Sequence, residues 1–423
     1  MLNIVSVLSH FAQFGLIYPL VSLWLAFNNV PSWEIGLVAS LYWCGMLLGS
    51  TIAPFGMHTM GVRKVIVLSA CITAVAALSM AYLPVNSPTA LKAVGHTFLT
   101  YLPTWLVWGL MGAVIGLGTG LRWVANESWL YALVPTESSG RIVGWHETLI
   151  HLTQTLGPVV IAAVGVGSVW GFYWGAFAAI FSAVAVLFAR TPMPENVTAQ
   201  TLAAHSSAAQ TRDSFTASVL KIWRQMWQGW ITTDLGLCAK VGLWAGLIDG
   251  VLFGMFTIYC VNINMSADVA AWIMVVFGLG GLLSSAPLGI LCDRKGLAFA
   301  IRCICLLGFI TVALLILHRM LTTHSLFSGG NVFAFSNHIV LWIAAAGLGV
   351  IAAAGLTLAM IVATQDASRL NRDLAQSIGE VSLAFTLGSI AGPAMAGVAL
   401  EFFGALGYIF LCAILFALGM RLK

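Results

Sequence analysis

Within an otherwise apolar run, the stretch GLRWVANESWLY (Gly120–Tyr131) carries an arginine, an asparagine and a glutamate. A guanidinium offers a fork of N–H donors that matches a carboxylate or another oxyanion, and an amide beside it adds a donor and an acceptor. On a helix Thr119, Arg122 and Asn126 stand at i, i+3 and i+7 and share a face. Glu127 is five residues from Arg122, so it points about 140° away. The two charges are therefore separate sites. Arg122 looks toward a carboxylate such as Asp249 or toward an anionic solute, and Glu127 toward His146 or Arg141 of the next helix. Three further stripes carry polar groups at the same spacing. They are Ser6, His10 and Gln13; Glu147, His151, Gln154 and Pro158; and Asp249, Phe253, Phe256 and Cys260. Asp249 has no basic residue within one turn. A carboxylate so placed can take up and release a proton, or can serve as the structural partner of Arg122. His10 and His151 can relay protons, bind solute, or simply hydrogen-bond a neighbour.

The elements that hold these residues are set by composition. The chain is 60% hydrophobic and 8% charged, against about 25% charged for a soluble domain. It is predicted to be an all-α integral membrane protein, with the lipid bilayer as its surroundings. Twelve apolar runs are long enough to cross as helices, over about 4–27, 35–57, 65–84, 104–132, 142–166, 169–189, 237–262, 268–291, 298–318, 338–364, 376–400 and 403–420. Continuous apolar runs, without alternation, exclude a transmembrane β-barrel. Of the 18 lysines and arginines, all but Lys92, Arg319 and Arg122 fall on one side of this scheme. The positive-inside rule then places both termini in the cytoplasm. The opening residues MLNIVSVLSHF lack a basic leader and a cleavage site and read as the start of a retained span. A net charge of +4 gives no support to nucleic-acid binding. The eight cysteines are scattered without a CxxC or zinc spacing.

Three regions follow: an N-terminal six-helix bundle over 1–189, a cytoplasmic linker over 190–236, and a C-terminal six-helix bundle over 237–423. In the linker, Phe215, Val219, Ile222, Trp223, Met226, Trp227 and Trp230 form one helical stripe flanked by Lys221 and Arg224. That pattern suits a helix lying on the membrane surface, and its simplest use is as a tether between the halves.

The halves share landmarks at a nearly constant offset. Pro54 matches Pro287 at 233 residues, while Gly120, Gly144 and Gly157-Pro158 match Gly355, Gly379 and Gly392-Pro393 at 235. A parallel six-plus-six repeat is the layout of the major facilitator transporters. The segment GILCDRKG (Gly289–Gly296) resembles the G-x-x-x-D-R-x-G signature of that superfamily, carried here by Gly289, Asp293, Arg294 and Gly296. The equivalent loop, GMHTMGVRKV (Gly56–Val65), keeps the glycine and a basic pair but lacks the Asp-Arg. The stretch from Asn126 to Pro158 also resembles the hairpin between spans four and five of bacterial members. The resemblance implies two pseudo-symmetric bundles rocking around a central site lined by spans one, four and seven. It implies gate contacts at Asp293 and Arg294. Glu127, Arg141, Glu147 and Glu380, near the inner ends of their spans, join these as gate candidates. The drug-antiporter signature of span five is incomplete, because Thr153 and Ile161 stand where glycine is expected.

The expected function is secondary active transport of a small solute across a bacterial inner membrane by alternating access, with the proton as coupling ion. Arg122, Asn126, Asp249, His10, Gln13, His151 and Gln154 are the candidates for solute binding and coupling. Efflux of a drug, siderophore or metabolite by antiport competes with nutrient uptake by symport. No Walker segment, HExxH or other enzyme constellation is present, so neither an enzyme nor a cofactor is expected. Met57, His58 and Met60 resemble soft-metal ligands, but no second cluster faces them. A non-transporting receptor or assembly factor on the same scaffold is the alternative outside transport. A monomer suffices for the mechanism.

Overall fold

The structure is a computed structural model that describes residues 2–83, 85, 102–133, 139–189, 236–328, 333–369 and 374–422. Among the described residues every regular element is a helix. In the first half these are α1 (Asn3–Phe27), α2 (Ser32–Met60), α3 (Val62–Tyr82), α4 (Thr104–Leu133), α5 (Ser139–Val164) and α6 (Trp170–Leu187). In the second they are α7 (Gly236–Asn262), α8 (Ala267–Lys295), α9 (Leu297–Ser328) and α10 (Phe333–Arg369). A last stretch, Leu374–Gly419, breaks at Gly404 (φ 61°, ψ −156°) into α11 and α12. Among the described residues ten helices are long and apolar enough to cross a bilayer. One of them, Val381–Gly419, is two passes because of the break, and the shorter apolar helix Thr148–Val164 is another. The total is twelve, as hydropathy predicts. The linker over 190–235, with its expected surface helix, lies outside the described residues.

Several helices outrun their apolar stretch: α8 continues to Lys295, α9 to Ser328 and α10 to Arg369. A backbone ladder ends where the chain leaves helical φ and ψ, not where hydropathy falls. For α8 that residue is Gly296 (φ 84°, ψ 160°), and for α2 it is Gly61 (φ 85°, ψ 154°). These conformations are open to glycine and strained for other residues.

Gly61 and Gly296 are 235 residues apart, and so are the left-handed turn residues Asn29 (φ 58°) and Asn264 (φ 66°). The turns match in hydrogen bonding too. Val30 N donates to Leu25 O at 3.0 Å, and Met265 N to Cys260 O at 3.2 Å. The repeat read from glycine and proline is thus a repeat of backbone geometry, and the fold is two pseudo-symmetric six-helix bundles.

Within the halves α1 packs on α5 and α2 on α4, as α7 packs on α11 and α8 on α10. The halves meet along α2–α11 and α5–α8. Apolar side chains gain nothing by leaving lipid for another helix, so close backbone approach supplies the attraction. A Cβ on Gly157 would press on the Gly15 carbonyl and stand 2.8 Å from its Cα; the equivalent Cβ on Gly392 would be 3.0 Å from Gly250 Cα. The α4 row acts likewise, since a Cβ on Gly116 would lie 2.9 Å from Met46 N and one on Gly120 would lie 2.6 Å from Ser50 N. Between the halves, Gly36 leaves a Cβ only 3.1 Å from Gly397 Cα, and Gly278 only 2.8 Å from Thr155 Cα.

Two hydrogen bonds join the halves at the face opposite the termini. Ser32 N donates to Glu401 Oε2 at 2.7 Å, and Val166 N donates to Asp268 Oδ1 at 2.8 Å. One bond sits on each inter-half seam. The outer surface is apolar, with Leu283, Phe402, Phe403 and Phe410 among the exposed side chains, as a lipid-facing surface requires.

Gly157→Val is expected to cost about 1–3 kcal/mol by overpacking α1 against α5, read as a lowered Tm in detergent. Gly289→Ala, where nothing lies within 4 Å, is expected to leave Tm unchanged.

Candidate functional site

The polar side chains of α1, α4 and α5 converge inside the N-terminal half. Residues Phe11–Ile17 of α1 form a π-helical turn, a widened turn often found at functional sites. It carries Gln13 and Gly15, so the residue that touches α5 and the residue that meets Arg122 lie on the same turn. Gln13 bridges two helices: its Oε1 accepts from Arg122 Nε at 2.9 Å, and its Nε2 donates to Thr73 Oγ1 of α3 at 2.8 Å. Arg122 is 1% exposed, and its guanidinium lies over the Trp123 ring at 5.7 Å. Its Nη1 and Nη2 have no hydrogen-bond partner among the described residues, and neither do the amide atoms of Asn126 or the ring nitrogens of His10, both of which are buried. Thr119, on the Arg122 face, bonds Tyr42 Oη at 3.0 Å.

Glu127 turns away from this group. His146 Nε2 of α5 lies 3.0 Å from its Oε1, the two forming a buried ion pair when the imidazole is protonated, and Ser6 Oγ lies 3.5 Å from the same nitrogen. His151 Nδ1 lies 3.2 Å from Gln154 Oε1, one turn further along α5. The structure therefore brings His10, Gln13, Arg122 and Asn126 together, and next to them Glu127 with His146. It does not pair Arg122 with Asp249, whose carboxylate lies within electrostatic reach of Tyr18 instead. The single side-chain hydrogen bond of Arg122 goes to an amide, and the carboxylate within its electrostatic reach is Glu127 of its own helix. Asp249, half-buried at mid-α7, makes no hydrogen bond or ion pair with any described residue.

An aromatic seam crosses the middle of the molecule beside Asp249. Tyr18 of α1 stacks on Phe253 of α7 (5.6 Å, 6° between planes) and accepts from Trp43 Nε1 at 3.2 Å. Tyr42 packs on Tyr18 at 4.8 Å, and Trp43 meets Phe385 of α11 at 6.1 Å. The seam joins both halves.

A sequence profile described as Major Facilitator Superfamily matches residues 3–330. The chain belongs to the Major Facilitator Superfamily. It is a family of transporters, not of enzymes. Relatives from Salmonella newport and Salmonella typhimurium, both called "Uncharacterized MFS-type transporter YcaD", are 24% identical over 387 residues, covering 90% of this chain and 84% of theirs. Among solved structures, a mutant form of the nucleoside transporter NupG superposes with TM-score 0.69 at 13% identity, over 100% of this chain and 96% of that one. A D-xylose-proton symporter gives 0.65 at 14% identity, over 100% and 96%. At these identities the likeness establishes the fold alone.

In this major facilitator fold the signature segment falls at the end of α8. Asp293 and Arg294 lie in its last turn, Arg294 is exposed, and Gly296 is the residue that ends the helix. Gly289 is open, with nothing near it. The side chains of Arg141, Glu147, Asp293 and Glu380 lie outside the described residues. Met57 is buried while His58 and Met60 are exposed. Reading the spans by hydropathy passed over Tyr18, Tyr42, Trp43 and Phe385. Their signal was available: tyrosine and tryptophan belong at membrane interfaces, and the mid-span pair Tyr42-Trp43 departs from that rule.

The Glu127–His146 contact is expected to be energetically coupled. In a double-mutant cycle of Glu127→Ala and His146→Ala, thermal unfolding is expected to return a coupling of about 0.5–3 kcal/mol. Additive effects would make the contact incidental.

Proposed function

We propose that this transporter moves a small solute across the bacterial inner membrane by alternating access and draws on a proton gradient through Asp249. The observation that carries this reading is the placement of Asp249. Its carboxylate sits at mid-membrane height on α7 without a hydrogen-bonding or ionic partner among the described residues, next to a seam where Tyr18 of one half stacks on Phe253 of the other. Ionisable side chains at such depth mark solute or proton paths. A group on the seam between two moving bodies changes surroundings when they rock. A proton bound in one state and released in the other couples the gradient to the movement. The skewed distribution of lysine and arginine supports both termini being cytoplasmic. In that orientation the Ser32–Glu401 and Val166–Asp268 bonds lie at the periplasmic face.

The test is substrate-dependent proton movement in proteoliposomes, followed with an enclosed pH-sensitive dye across a panel of solutes. Asp249→Asn is expected to abolish the movement and Asp249→Glu to retain part of it. Unchanged proton movement in Asp249→Asn would remove Asp249 from the mechanism.

A further inference from the structure

We propose that Arg122, Asn126 and His10 form a carboxylate-binding site, and that the solute is a small monocarboxylate. The inference rests on the transport reading above and gives its substrate a chemical class. Six polar atoms from these three buried side chains have no partner among the described residues: Nη1 and Nη2 of Arg122, both amide atoms of Asn126 and both ring nitrogens of His10. An unsatisfied buried polar group is destabilising, and a charged one more so. The three side chains are neighbours. Asn126 is one helical turn from Arg122, and His10 lies within electrostatic reach of it. So many open valences in one place mark a site whose partner arrives from outside.

The shape of the open group selects the partner. Gln13 holds Arg122 by Nε, which leaves the Nη pair as a free fork. Such a fork receives the two oxygens of a carboxylate in parallel. The Asn126 amide donates to the same anion, and His10, in the tautomer with its N–H toward the anion, adds another donor.

Charge balance narrows the class further. Arg122 is the buried cation of the described spans; no lysine and no other arginine is buried among the described residues. Glu127 stands within electrostatic reach of the guanidinium and reduces the positive potential. A single negative charge is therefore accommodated better than a doubly charged phosphate. A neutral sugar or nucleoside would leave the Nη fork without an anionic acceptor. Phe14 stacks on His10 at 5.0 Å and Trp123 lies under the guanidinium, so the rest of the solute meets aromatic walls. Such walls favour a short apolar acid over a polar one.

The test uses the purified full-length protein in detergent and reads thermal unfolding against added solute. The probes are propionate, lactate and benzoate, the amide of each, inorganic phosphate, xylose and uridine. At least one monocarboxylate is expected to raise the Tm of the wild type in a saturable way, with no shift from its amide. Arg122→Gln is expected to weaken that binding by about a hundredfold or more, and Asn126→Ala by about tenfold. The acid-against-amide comparison needs no variant, so a misfolded Arg122→Gln does not blunt it. The proposal is overturned if no monocarboxylate shifts the wild type. It is also overturned if phosphate or a neutral solute acts at lower concentration, or if the shift survives in a folded Arg122→Gln. Carboxylate binding without proton movement in vesicles would sink the transport reading and keep this site. Proton movement driven by a neutral solute would do the reverse.

Discussion

Helices in a bilayer are held by how closely their backbones can approach, and in this protein that approach is set at a few residues without a Cβ. Gly15 against Gly157 joins α1 to α5, and Gly250 against Gly392 joins α7 to α11 in the same register. The first contact reaches the chemistry directly. Gly15 sits in the π turn that also presents Gln13, and Gln13 holds Arg122. The position of a buried guanidinium thus follows from a backbone contact that no side chain can replace. The seams between the halves obey the same rule at Gly36 and Gly278, so the packing that builds each bundle also sets how the two bundles meet.

Repeat geometry and chemistry part company across the pseudo-symmetry. The turns at Asn29 and Asn264 coincide to the hydrogen bond, yet among the described residues this group of buried polar residues is not duplicated. Six of them, His10, Gln13, Arg122, Asn126, Glu127 and His146, lie on α1, α4 and α5. The facing bundle contributes Asp249 and a largely apolar surface. In the proposed mechanism the anion is held by one body and the proton is taken by the other, with the Tyr18–Phe253 stack between them. Each ligand then reports on the position of the opposite half.

Much of this was legible in the residues. Hydropathy marks the twelve passes, and the angular step of a helix separates Arg122 from Glu127 before any coordinates are known. The 235-residue offset survives in turn conformation because asparagine and glycine are the residues that tolerate left-handed backbone. Helical spacing says which residues share a face, but not which of several neighbouring helices that face meets. For that reason the face of Arg122 reads as turned toward a carboxylate such as Asp249 or an anionic solute, whereas its side-chain hydrogen bond goes to Gln13. The π turn left no mark either, because one widened turn barely alters a hydropathy pattern. Nor did the length of α9 and α10, whose ladders run on through polar residues where apolar counting stops.

The two bonds that close the face opposite the termini are built unevenly. Both acceptors, Asp268 and Glu401, are side chains of the C-terminal half, and both donors are main-chain amides of the N-terminal half, at Val166 and Ser32. A main-chain amide survives every replacement except proline. Natural variation can therefore adjust this closure from one side only. A lineage that needs faster turnover or a tighter resting state has two codons at which to make the change, and neither lies in the half that holds the buried arginine.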